Sequence, residues 1–149
     1  MSNQNNFAEQ IAELTFNLLL NCQEKESRLS EQLNLTVSEF RTLRYFRKDI
    51  SLNIKELTIR VRLSGSRLTR ILDGLEKKNI LTRSIDKRDR RSIIVTLSPS
   101  GVEIVRTLES KFIEIHKEIL KEIPSSQHDS ITGGLRQLLQ SLESWLKVS

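Results

Sequence analysis

The chain is poor in residues that cross-link or break a fold. Its 149 residues include one Cys, two Pro and five Gly. A single Cys excludes an intrachain disulfide, as expected of a protein kept in a reducing compartment. So few Pro and Gly disfavour an all-β architecture, which needs frequent tight turns, and leave room for long helices. Aromatic residues are also scarce, at five Phe, one Tyr and one Trp, so the core must be built mostly from Leu, Ile and Val. No apolar run approaches the ~18 residues of a membrane span, and no membrane partner is expected. Residues Met1 to Asn6 are polar and uncharged, unlike a secretory signal, which points to the cytoplasm. There is no glycine-rich phosphate loop, nucleophile elbow or paired-acid signature, so neither catalysis nor a cofactor is expected. His116 and His128 stand far apart with no Cys or carboxylate at ligand spacing, so no metal is expected.

What the chain has is positive charge, concentrated in one place. Its net charge is +5, yet Arg60 to Arg91 holds eleven cations against four acids, a net +7. The rest of the chain is therefore net −2. A basic field confined to one region suits a polyanion. Within it, Leu68, Ile71, Leu72 and Leu75 fall on one arc of a helix at about 100° per residue. Ser66, Arg70, Asp73 and Lys77 take the opposite arc, with Arg67 on its flank. Two β-prone runs follow, Ile80 to Ile85 and Ser92 to Leu97, joined by Asp86-Lys-Arg-Asp-Arg-Arg91. A helix with a basic free face and a hairpin with a basic tip outline a winged helix. Such a helix suits the major groove of double-stranded DNA, and such a tip suits phosphates or the minor groove.

The remaining periodicity is helical. Phe7, Ile11, Leu14 and Leu18 mark a first helix to about Leu33, widened by Phe16, Leu19 and Leu20. Thr36 and Glu39 have capping-box spacing, which starts a second helix running to about Phe46. Asn53 and Glu56 repeat that spacing before a third, with Ile54, Leu57 and Val61 inward; residues 48–52 suit a short strand. Ser98 caps and Pro99 opens a long helix to about Glu122, which Pro124 ends. Ser126 and Asp129 suggest a cap for a final helix carrying Leu135, Leu142, Trp145 and Leu146, bent or closely packed at Gly133-Gly134. The expected fold is mainly α with a small β-hairpin wing. Residues 35–98 form a winged helix-turn-helix; residues 1–34 and 99–149 form a helical dimerisation region. The terminal helices offer more apolar surface than one such chain readily buries, which implies a homodimer on a palindromic site.

In element order the chain resembles the MarR (multiple antibiotic resistance regulator) family. The resemblance spans about Phe7 to Leu146 and is sharpest over Leu63 to Leu81. Asp86-Lys-Arg-Asp-Arg-Arg91 matches the family's Asp-x-Arg-Asp-x-Arg wing, and Leu97-Ser-Pro-Ser-Gly101 its strand-to-helix junction. It implies a homodimeric transcription factor, usually a repressor, on palindromic operator DNA. Such proteins are released by a small, often aromatic and anionic, effector or by thiol oxidation. It places Ser64, Gly65, Ser66, Arg67 and Arg70 at the front of the groove-entering helix, and Asp89 and Arg91 as the wing's acid and inserted Arg. The residues themselves add Thr69, Lys77, Arg88 and Arg90 to the DNA-contacting set. Arg67 and Arg70 suit either guanine edges or phosphates. One tip Arg is expected to pair with Asp86 or Asp89. Phe16, Leu20, Phe40, Tyr45 and Phe112 could line an effector pocket, or serve as core. Where the family often has Gly, this chain has Arg62 and Asn79. Cys22 lies about three turns beyond the place of the family's sensing thiol, which does not support peroxide sensing. The competing classes are a winged-helix protein-interaction module without DNA binding and a redox switch through Cys22.

Overall fold

A computed structural model describes residues 2–149. The chain forms α1 (Ser2–Gln32), α2 (Val37–Leu43), β1 (Ser51–Asn53), α3 (Ile54–Val61), α4 (Gly65–Lys77), β2 (Leu81–Ile85), β3 (Ile93–Leu97), α5 (Pro99–Leu120) and α6 (His128–Val148). Short 3-10 turns follow α2 at Arg44–Phe46 and precede α6 at Ser125–Gln127. The architecture is mainly helical with a small antiparallel sheet ordered β1-β3-β2. Two compact units divide within α5, one ending at Lys111 and the other running Phe112–Ser149.

In the first unit, the apolar arc of α4 is buried as its spacing requires. Leu68, Leu72 and Leu75 share a core with Leu29 of α1, Phe40 and Leu43 of α2, Leu57 of α3, Leu81 and Val95 of the sheet, and Val105 and Leu108 of α5. Ile71 is only half-buried, and Ile54 and Val61 of α3 likewise. Thr36 closes a complete capping box: Glu39 N–H donates to the Thr36 hydroxyl at 3.1 Å and Thr36 N–H to the Glu39 carboxylate at 3.0 Å. The buried Glu39 carboxylate also accepts from Lys78 Nζ at 2.7 Å, tying the start of α2 to the end of α4. Asn53 caps α3 through the Lys55 N–H, but Glu56 does not complete a box; it pairs with Arg60 one turn on. The Asn53 amide meanwhile donates to the buried Ser92 hydroxyl, joining α3's first turn to the base of the wing.

Two junctions where the family often has Gly adopt left-handed backbone without it. Arg62 ends α3 at φ 55 and Asn79 ends α4 at φ 58. Asn tolerates this region well; Arg62 adopts it as the C-cap of α3. The Asn79 turn is locked by Ser98, whose hydroxyl donates toward the carbonyls of Asn79 at 2.6 Å and Ile80 at 3.1 Å. The same oxygen accepts from Gly101 N–H at 3.0 Å as the cap of α5. Gly101 is needed here because a Cβ would lie 1.9 Å from the Ile80 carbonyl oxygen.

In the second unit, α6 starts differently from the sequence expectation. Gln127 occupies the cap position with no side-chain bond, so Ser126 and Asp129 form no cap. The 3-10 turn takes up the residues that a cap would need. Gly133 and Gly134 lie within one continuous helix, and a Cβ on either would meet nothing within 4 Å. Among the described residues nothing packs closely against them. No residue of α6 is buried. No helix among the described residues is long and apolar enough to cross a membrane.

Gly101→Ala is expected to lower unfolding free energy by about 1–3 kcal/mol or more, because a rigid carbonyl must move. Urea denaturation followed by circular dichroism measures it.

Candidate nucleic-acid interface

Helix α4 and the β2–β3 hairpin carry the candidate interface. Ser64 caps α4 by accepting from the Arg67 N–H at 3.3 Å, and its hydroxyl lies 3.2 Å from that of Ser66. Gly65 follows with open space about its Cα. With Leu68, Leu72 and Leu75 buried, the α-helical period turns Ser66, Arg67, Arg70 and Lys77 outward, and all four are exposed. Thr69 is exposed too, its hydroxyl donating to the Gly65 carbonyl at 2.9 Å.

Strands β2 and β3 pair in the register Leu81↔Leu97 to Ile85↔Ile93. The six-residue tip folds on its own acids. Asp86 accepts the Arg88 N–H at 2.9 Å and Asp89 accepts the Arg91 N–H at 3.1 Å. These are side-chain-to-backbone turns of the kind short Asp residues favour. The expected pairing of a tip guanidinium with Asp86 or Asp89 is not formed: the carboxylates hold the backbone instead. Lys87, Arg88, Asp89, Arg90 and Arg91 are all exposed.

Arg83 belongs to the basic stretch in sequence, yet its charge is spent within the fold. From β2 it donates to Asp73 at 2.5 Å and to Glu76 at 2.6 Å, both on α4. Hydrogen bonds to Glu76 and then Asp73 raise its pKa above the already high arginine value, against a smaller lowering by burial. The alternation of the strand could have revealed this: Leu81, Arg83 and Ile85 share one face, and Leu81 is core. All four acids between Arg60 and Arg91 thus have structural partners. Of the eleven cations, Arg60, Lys78 and Arg83 form ion pairs. The other eight, Arg62, Arg67, Arg70, Lys77, Lys87, Arg88, Arg90 and Arg91, are exposed, with no ion pair among the described residues.

Of the four first-unit residues considered for an effector pocket, Phe40 and Tyr45 border one hollow of about 540 Å³ beside α2. Phe40 is fully buried and Tyr45 partly exposed. Phe16 and Leu20 are exposed on α1 and do not line it. Phe112 belongs to the second unit, where its ring meets that of His116 edge-on at 4.6 Å. His116 Nδ1 lies 2.7 Å from the Phe112 carbonyl and His128 Nε2 3.0 Å from that of Ile123. Cys22 is half-buried, with Lys25 Nζ 3.8 Å from its sulfur. Among the described residues, no group of three or more His, Cys, Asp or Glu could hold a metal ion.

Known proteins resemble this chain in sequence and in fold. Residues 35–93 match the model of the MarR family. The HTH-type transcriptional regulator SarZ of Staphylococcus haemolyticus is 29% identical over 108 residues, 72% of each chain. SarZ of Staphylococcus aureus is 29% identical over 111 residues, 73% of this chain and 72% of that one. In fold, the chain is similar to the S. aureus MepR–DNA complex, with TM-score 0.74 and 22% identity over 89% of this chain and 97% of that one. YusO of Bacillus subtilis gives TM-score 0.71 and 21% identity over 91% and 96%. The winged segment, the wing motif and the relatives agree: the chain is similar to MarR-family transcriptional regulators, and residues 35–93 carry the family match.

Proposed function

We propose that the protein is a repressor that binds a palindromic operator as a homodimer. One observation carries the reading of the site: the acids of the basic segment are engaged internally, so eight exposed cations face outward without ion-pair partners among the described residues. Phosphate neutralisation by such cations supplies most of the affinity and makes it fall steeply with salt. On this reading α4 lies in the major groove. Ser64, Gly65, Ser66 and Thr69 approach the backbone, Arg67 and Arg70 reach base edges or phosphates, and Lys77 a phosphate. The wing tip follows the groove edge, with Arg91 inserted in the minor groove, Asp89 shaping the turn behind it, and Arg88 and Arg90 on either side.

The dimer reading rests on apolar surface. Phe7, Ile11, Leu14 and Leu18 of α1 are exposed, Phe7 by 62%. Leu135, Leu142 and Trp145 of α6 are exposed as well, Trp145 by 63%. Stripes of this length are rarely left to water. Residues 1–34 and 99–149 then serve association, and residues 35–98 serve recognition. A two-fold pair would set half-sites about 34–36 Å apart. Release by a small effector accompanies repression in this reading.

Gel shifts on an operator selected from a random duplex pool test the assignment. Arg70→Ala is expected to relax base choice by about 1–3 kcal/mol at one position per half-site. Arg91→Ala is expected to weaken binding chiefly where flanks are A·T-rich. Wild-type binding by both variants would overturn the assignment. Arg83→Met should reduce affinity on the order of ten-fold at 0.1 M salt, by leaving Asp73 and Glu76 uncompensated near phosphates. Sedimentation velocity is expected to give a dimer for the wild type and a monomer for Leu14→Glu/Leu18→Glu.

A further inference from the structure

Beyond the helix and wing lies a second cationic surface, mostly in a part of the chain whose overall charge is negative. The hollow beside α2 is bordered by five cations, Arg41, Arg44, Arg47, Lys48 and Arg60, against two acids, Glu26 and Asp49. Three of the cations are committed. Arg41 pairs with Glu26 at 2.5 Å, Arg44 with Glu109 at 3.1 Å and Arg60 with Glu56 at 2.5 Å. Arg47 and Lys48 are exposed and form no ion pair among the described residues. They follow the 3-10 turn, just before β1, so the backbone there is short and tethered at both ends. A cation on a tethered segment loses less freedom on binding than one on a free tail.

Position gives the hollow its partner. Its lining includes Val61 and Leu63, and Leu63 directly precedes Ser64, the cap of α4. Arg47 and Lys48 therefore share a hollow with the connection that leads into the groove-entering end of α4. We propose that Arg47 and Lys48 form a further pair of phosphate contacts to duplex DNA, on the backbone flanking each half-site. The inference rests on the DNA-binding reading above and extends its footprint to a segment outside α3, α4 and the wing. Contacts of this type position the protein and carry no base information. Arg44 and Arg41, already satisfied by carboxylates, line the hollow without contributing free charge.

The test is the salt dependence of affinity. Removing one phosphate-binding cation should reduce the slope of log affinity against log salt by about 0.9. Fluorescence anisotropy with a selected operator and a random duplex, across roughly 50–300 mM NaCl, is expected to show three things. Arg47→Ala and Lys48→Ala each lower the slope by about one. Affinity falls by the same factor on both duplexes, leaving the specificity ratio at its wild-type value. Arg47→Lys keeps the wild-type slope, which a merely structural role for the guanidinium would not predict. Thermal melts of the same variants identify any loss that comes from unfolding; Arg47→Gln and Lys48→Gln then give the slope on folded protein. Wild-type slopes in folded alanine or glutamine variants would overturn the proposal alone. Absence of duplex binding by the wild type would overturn the DNA-binding reading and this one with it. Inorganic phosphate supplies the other source of the same chemistry. If it shifts the Arg47 and Lys48 amide resonances while the slopes stay unchanged, the hollow is a free-anion site and the proposal fails.

Discussion

A half-buried arginine determines how this protein presents charge. Arg83 reaches from β2 to two carboxylates on α4, one turn apart. That bridge has two effects. It fixes the wing against the helix, since a strand and a helix share one guanidinium. It also removes Asp73 and Glu76 from the outward field. Exposed ion pairs contribute little to stability, and these carboxylates are partly exposed. The value of the bridge lies in orientation and electrostatics. Without a cation between them, two acids would stand uncompensated beside the exposed cations of α4.

The same division of labour recurs at the tip and at the helix ends. Asp86 and Asp89 turn their carboxylates onto backbone N–H groups, which shapes a tight six-residue turn and leaves its guanidinium groups to solvent. Glu39 takes both the capping box and Lys78. A carbon at the Cβ position of Gly74 would lie 2.7 Å from the Glu39 carboxylate oxygen, so a larger residue there would push that side chain aside. Ser98 binds the left-handed turn at Asn79 to the start of α5. Acids and hydroxyls thus hold elements together, while the cations that remain face outward. Specific recognition needs this rigidity, because base-edge contacts tolerate little displacement.

Much of this is legible in the residues. Leu68, Leu72 and Leu75 at helical spacing place α4 and its inward side. Thr36 with Glu39 marks the start of α2, and Ser98-Pro99 marks that of α5. The cluster at Asp86 to Arg91 marks the tip of a hairpin. Each is a local signal, set within one or two turns of chain. Where sequence and structure differ, a local signal has yielded to a neighbour. Glu56 has cap spacing but pairs with Arg60; Asp129 has cap spacing, but a 3-10 turn occupies its helix start. The Gly133-Gly134 pair suggests a bend or a close approach, yet α6 runs through it and a Cβ on either residue would meet nothing within 4 Å.

By itself the sequence determined the order of elements, the buried arc of α4 and the confinement of positive charge to one stretch, because periodicity and composition act over short distances. Only the tertiary structure decided which charges were available. Arg83 and Lys78 look like Arg67 and Arg70 along the chain. They differ because folding brings Asp73 and Glu39 within reach of the first two and leaves the others facing water. Coulomb attraction depends on distance in space, and that distance is a property of the packed chain.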